Sequence, residues 1–106
     1  MIDWNIHPSA QQEYEEALLH FSAIDERLVI VFETCYREYF HSILSNPHLY
    51  NLRQHSSRRV NLQPRFGESY IACMIWEEKV VIFAVAHAKR RPCYWRDRIS
   101  EAKEIF

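Results

Sequence analysis

The sequence predicts an α+β domain with the element order β-α-α-β-β-β-α, in which helices sandwich a small sheet. Three observations predict it. Apolar side chains recur by threes and fours through residues 10–21 and again through residues 28–44. Two later runs, residues 70–76 and 80–87, are short, apolar on both faces and joined by Glu77, Glu78 and Lys79. The end of the chain then returns to helical spacing. With 106 residues, of which 48% are hydrophobic, the chain suffices for one domain with a conventional core.

Each element has its own warrant. Ile2, Trp4 and Ile6 alternate, which reads as a strand with one buried face, and Pro8 ends it. Ser9 with Gln12 three residues on fits a capping box, and Glu13, Glu15 and Glu16 suit the positive end of a helix dipole. Ala10, Tyr14, Ala17, Leu18 and Phe21 then give a first helix over about residues 9–21. Residues 22–26 form a break. Leu28, Val31, Phe32, Cys35, Tyr36, Tyr39, Ile43 and Leu44 give a second helix, stopped at Asn46-Pro47. The polar, aperiodic residues 47–57 read as a loop.

Strands follow at residues 58–63, 70–76 and 80–87, with the only glycine, Gly67, in a turn at residues 64–67. Strict alternation puts Val80, Ile82, Ala84 and Ala86 on one face of the last strand, and Val81, Phe83, Val85 and His87 on the other. Both faces are apolar, so both need cover, and the helical hairpin supplies only one. Pro92 suits the first turn of a final helix, where Trp95, Ile99, Ala102 and Phe106 make a narrow stripe. That helix, or a partner, covers the second face.

Several function classes are set aside. The cysteines Cys35, Cys73 and Cys93 are odd in number and lie in apolar or aromatic surroundings, as buried hydrophobes or a free thiol do. No leader opens the chain and no apolar run approaches the ~18 residues of a bilayer span, so a reduced cytoplasmic setting without membrane contact is expected. His87 and Cys93, like His48 and His55, are spaced unlike paired zinc ligands, and His20 and His41 have no helical partner, so no metal is expected. A single glycine cannot make a phosphate-cradling loop. No cofactor is expected either.

Charge is more telling in its distribution than in its net value of −1. Residues 1–52 hold two bases against eight acids, and residues 53–106 hold eleven against six. A basic face of this kind attracts a polyanion or an acidic polypeptide. Its basic and aromatic members are Arg58, Arg59, Arg65, Lys89, Arg90, Arg91, Tyr94, Trp95, Arg96 and Arg98. Guanidinium forks grip phosphate or carboxylate, and flat rings stack on bases. The same set on a solvated rim, with Trp95 in the core, needs no partner. Composition does not separate nucleic acid from an acidic protein.

At this point the chain resembles the RelE/ParE superfamily of bacterial type II toxins. Many members run from a strand into "HP-A--E--EA", and "HPSAQQEYEEAL" stands at residues 7–18. Their helical hairpin ends near Asn-Pro, as "ILSNPHLY" does at residues 43–50, and arginines precede the sheet, here Arg58 and Arg59. Their last strand reads like "AV-H---R-P-YW--R", and "AVAHAKRRPCYWRDRI" fills residues 84–99. The resemblance covers residues 6–98, and the two end motifs together carry it.

The resemblance implies a small curved antiparallel sheet packed on the N-terminal hairpin. It implies a toxin held in a hetero-oligomer with a cognate antitoxin, whose acidic, initially disordered tail folds over it and covers part of the two-faced strand. The His-Pro opening and the ending look more like the ParE side, whose members poison DNA gyrase. RelE-side relatives instead cut ribosome-bound mRNA without a metal, which would give Arg59, His87, Arg90, Arg91 and Tyr94 catalytic roles. Under either reading Arg58, Arg59, Arg65, Lys89, Arg90, Arg91, Tyr94, Trp95 and Arg98 would meet the target or the antitoxin. One departure stands out: relatives carry an Arg-Phe-Pro-Tyr-like step where this chain has "PRFGESY", so Gly67 and Glu68 put an acid on a basic surface, as a decayed toxin kept as a binding module could. The "ISEAKEIF" extension after Arg98 also alters the surface near the target.

Overall fold

The computed structural model describes residues 2–53 and 56–106 and has the expected element order. It runs β1 (Trp4–Ile6), α1 (Pro8–Ile24), α2 (Glu26–Ser45), a short 3-10 turn (Pro47–Leu49), β2 (Arg58–Leu62), β3 (Phe66–Trp76), β4 (Lys79–His87) and α3 (Arg96–Ile105). The sheet order is β1-β4-β3-β2. Neighbours β2, β3 and β4 pair antiparallel, but β1 lies parallel to β4, so the sheet is mixed where the resemblance implied an antiparallel one. Nothing local in a three-residue strand encodes its partner's direction. The helical hairpin between β1 and the rest sets it, as a crossover sets parallel pairing.

The helix ends differ from the sequence reading in instructive ways. The N-cap of α1 is His7, not Ser9: its Nδ1 accepts the Ser9 N–H at 3.0 Å, and Pro8 takes the first helical position. Proline has no N–H to satisfy and its φ already suits that position, so the cap moves two residues back. Asp25 then serves both helices. Its N–H closes α1 on the Phe21 carbonyl, and its carboxylate accepts the Arg27 N–H at 2.9 Å to open α2. The Asn46-Pro47 stop of α2 is observed as expected. Of the loop at residues 47–57, residues 54 and 55 lie outside the described residues.

Two cores sandwich the sheet. On one face Val60, Leu62, Ile71, Cys73, Val80 and Ile82 meet the hairpin through Ala10, Phe32, Ile43 and Leu44. Phe32 is fully buried, with Phe21 at 4.9 Å and Phe66 at 5.2 Å between ring centroids. On the other face Tyr70, Ala72, Met74, Val81, Phe83, Ala84 and Ala86 meet Trp95, Ile99 and Ala102. The second face is therefore covered by α3 of this same chain. Val81, Phe83 and Ala84 are fully buried, which corrects the expectation that a partner covers part of that strand.

Three further corrections concern the sheet and its flank. β3 begins at Phe66, inside the expected turn. Ala72 pairs with Ala84 but Cys73 with Ile82, leaving Phe83 as the extra residue of a bulge. Phe83 and Ala84 consequently share the α3 face, and the alternation reverses: Val85 and His87 turn to the hairpin side, where they line a cavity with α1. Finally, α3 starts at Arg96 and not at Pro92, because Cys93 adopts φ 57°, outside the helical region.

Candidate functional site

The site grows out of an unfinished sheet edge. β1 accompanies β4 only to Ile82, whose carbonyl accepts the His7 N–H at 2.8 Å. There the chain turns into α1, and the outer edge of β4 beyond Ile82 has no strand beside it. Two side chains stand in. Glu13 on α1 accepts the Val85 N–H at 3.1 Å, and Arg98 on α3 donates to the Phe83 carbonyl at 3.1 Å. The two also bond each other, Arg98 Nη1 to Glu13 Oε1 at 2.7 Å, with only 17% and 10% of their side chains exposed. Such a charge pair is favourable because backbone groups satisfy its remaining bonding capacity.

Glu13 gathers two more of the basic and aromatic residues. The Tyr94 hydroxyl donates to Glu13 Oε2, and Arg90 Nη1 lies 3.7 Å from the same oxygen. The Arg90 guanidinium stacks 4.1 Å above the Tyr94 ring. Burial, and then the hydrogen bond and charge of Glu13, push the Tyr94 phenol above its ordinary range. Near neutral pH this tyrosine is a proton donor only.

His87 is fixed as well. Its Nδ1 accepts the Lys89 N–H at 3.1 Å, so the proton of the neutral ring sits on Nε2, which points at the Glu68 carboxylate 3.4 Å away. A cavity of about 210 Å³ beside it is lined by Glu13, His20, Val85, His87, Arg90 and Tyr94. A larger one of about 610 Å³ adjoins it through His20, Phe21, Ser69 and His87, and adds Arg65, Lys89, Glu68 and Pro64.

The other expected residues stand apart from this group, Arg59 and Trp95 on the α3 face of the sheet and Arg58 beside Cys73 on the hairpin face. Arg59 lies 3.9 Å over the Tyr70 ring and donates to Asn61 Oδ1 at 3.0 Å. Arg58 donates to the Tyr50 carbonyl. A separate cavity of about 340 Å³ holds Arg53, Arg59, Tyr70, Cys93 and Trp95. The expected set is thus divided. His87, Arg90 and Tyr94 come together, Arg65 and Lys89 adjoin them, and Arg58, Arg59 and Trp95 do not. Arg91 and Arg96 are exposed.

One expected contact residue is corrected, and a second is engaged inside the domain. Trp95 is 6% exposed, packs 4.9 Å from Phe83 and donates its indole N–H to the Tyr70 hydroxyl at 3.0 Å. It is core, not surface. Arg98 is spent within the domain on Glu13 and Phe83. Two site residues were missed, Glu13 and His20. The signal existed: with Ala10 and Ala17 they fall at i+3, i+7 and i+10, which puts a carboxylate and an imidazole on the α1 face that Ala10 and Ala17 share.

No group of three metal-type side chains gathers among the described residues, and His55 of the weighed His48–His55 pair lies outside them. No disulfide joins Cys35, Cys73 or Cys93, and burial pushes the Cys73 thiol up to about 12, which leaves it inert. Among the described residues no helix is long and apolar enough to cross a membrane. No protein-family model matches this chain, and no curated protein matches it either.

Proposed function

We propose that this chain is a toxin of the RelE/ParE type that acts by binding, with DNA gyrase as its target. A cognate antitoxin with an acidic, initially disordered tail neutralises it in a hetero-oligomer in the cytoplasm. The observation that carries this reading is the state of the groups a nuclease would use. Metal-free RNA cleavage needs a base for the 2′-OH proton and cations for the phosphorane. Here the Tyr94 proton is held by Glu13, and the His87 lone pair is spent on the Lys89 N–H. Arg59 is on the other side of the sheet, over Tyr70. What remains is an exposed run of three cations, Lys89, Arg90 and Arg91, just beyond β4, and that suits an acidic protein surface.

A second reading, a ribosome-dependent mRNA endoribonuclease, draws on one feature: His20 and His87 line the same cavity beside Arg90. There His20 would be the base. A third, a decayed toxin that only binds, draws on Glu68, whose carboxylate stands against His87.

One experiment separates the three. The chain is expressed from an inducible promoter in a bacterial host without antitoxin, and viable counts, plasmid topology and mRNA integrity are followed together. Falling counts with trapped gyrase cleavage or lost supercoiling are expected. Falling counts with intact topology and cut mRNA would transfer the assignment to the nuclease. Full viability with folded protein that still binds an acidic antitoxin helix would leave the binding module.

A further inference from the structure

The groove between α1 and the ends of β3 and β4 has a chemistry that binding to a protein surface does not require. Its larger cavity, about 610 Å³, lies within the range of small-molecule sites. Three kinds of group line it. Arg65 and Lys89 bring permanent positive charge, with Arg90 in the adjoining cavity. His20 and His87 bring ring nitrogens, and because Nδ1 of His87 accepts the Lys89 N–H, its Nε2–H is a fixed donor. Phe21, Pro64 and Phe66 form an apolar wall.

The acids in the groove do not cancel this. Glu13 is neutralised by Arg98 and bonded by Tyr94. Glu16 lines only the smaller cavity. Glu68 is the exception, and it is informative. Its side chain is 70% exposed, yet its carboxylate stands 3.4 Å from His87 Nε2. An exposed carboxylate beside a fixed donor among cations occupies the place that a stronger external anion would take. Carboxylate and phosphate present similar oxygens to such donors, and phosphate carries more charge.

We infer that this groove binds a nucleotide-type phosphomonoester, its phosphate held by His87, Lys89 and Arg65 and its flat ring laid against Phe21 and Pro64, with Glu68 as the built-in competitor that it displaces. The site is independent of any toxin activity. Free protein spends part of its population with Glu68 on His87, and apparent affinity is lowered by that fraction. Removing the Glu68 charge lifts the competition and the repulsion together.

The test uses the purified full chain, adenosine 5′-monophosphate, ribose 5-phosphate and inorganic phosphate as probes, and the ring resonances of His20 and His87 as the readout. Adenosine 5′-monophosphate should shift both rings saturably and bind more tightly than ribose 5-phosphate. Glu68→Gln should tighten binding by about threefold or more, whereas Arg65→Ala with Lys89→Ala should weaken it by about tenfold or more. Both variants change exposed side chains, and an unchanged unfolding midpoint establishes that they are folded. No saturable shift up to about 10 mM would overturn the site, since binding weaker than that is not specific recognition. Binding indifferent to the Arg65/Lys89 pair, or weakened by Glu68→Gln, would overturn the phosphate placement. Equal affinity for all three probes would overturn the ring subsite. Viability assays bear on none of these outcomes, so failure here and failure of the toxin reading are separable.

Discussion

The two halves of β4 are supported by different means. Val80 to Ile82 lie between β3 and β1, and the Val80 N–H donates to the Asp3 carbonyl at 2.9 Å in an ordinary ladder. Phe83 to Val85 lie between β3 and two side chains, Glu13 and Arg98. A backbone ladder satisfies the edge and leaves nothing over. A carboxylate and a guanidinium satisfy it and keep further lone pairs and protons, which here collect Tyr94 and Arg90. The candidate site lies at the second half for that reason.

The largest effect should come from removing the carboxylate that holds the second half. Glu13→Ala leaves Arg98 without its ionic partner, Val85 N–H without an acceptor and Tyr94 without its own. Breaking a buried, bonded charge pair costs about 3–5 kcal/mol. Denaturant unfolding should show a loss of that order. Native-state hydrogen exchange should show the Val85 amide accelerating far more than the Val80 amide, whose partner is the Asp3 carbonyl. Equal acceleration of both would erase the distinction between the halves.

The contrast was only partly legible in the sequence, for reasons that differ by residue. The helices were legible because apolar spacing and the Asn46-Pro47 stop agree with each other. The bulge was not. Phe83 and Ala84 are apolar within a run apolar on both faces, so a reversal of alternation leaves no mark in the pattern. That one extra residue decides that His87 faces the groove. The direction of β1 was equally silent. Trp95 read both as a member of the last helix's apolar stripe and as a contact residue, and Arg98 read as a contact residue, because local composition does not reveal that an indole N–H has a buried hydroxyl partner or a guanidinium a buried carboxylate. Glu13 and His20 could have been found by asking which polar residues share the α1 face of Ala10 and Ala17.

A smaller effect isolates the tyrosine. Tyr94→Phe removes one hydrogen bond to a charged group and should cost about 1.5–3 kcal/mol at neutral pH. Its pH dependence supplies a sign. The folded state holds the Tyr94 phenol above its ordinary value of 10.0, through burial and then Glu13, so folding favours the protonated form. That contribution is complete below about pH 10 and is lost as pH rises toward the raised value. Wild type should therefore lose stability more steeply than Tyr94→Phe on alkaline titration above about pH 10, and parallel curves would mean that the hydroxyl contributes nothing.

The smallest effect addresses the half that the backbone supports. β3 and β4 are joined by Glu77 and Glu78, both in the left-handed region with φ 52° and 63°. Two positive-φ residues between paired strands match a type I′ turn, whose preferred sequence is Asn-Gly. Glutamates there bear a steric cost at the Cβ and repel each other across the turn. Replacing them with Asn-Gly should raise stability by about 1 kcal/mol, because relief of that strain exceeds the added chain entropy of glycine. The gain should appear in the Val80 amide and in global unfolding, and should add to the Glu13→Ala loss without interaction, since the turn and the carboxylate serve opposite ends of one strand. A marked departure from additivity would show that the two halves of β4 unfold as one unit, and would make the side-chain edge as integral to the sheet as the ladder beside it.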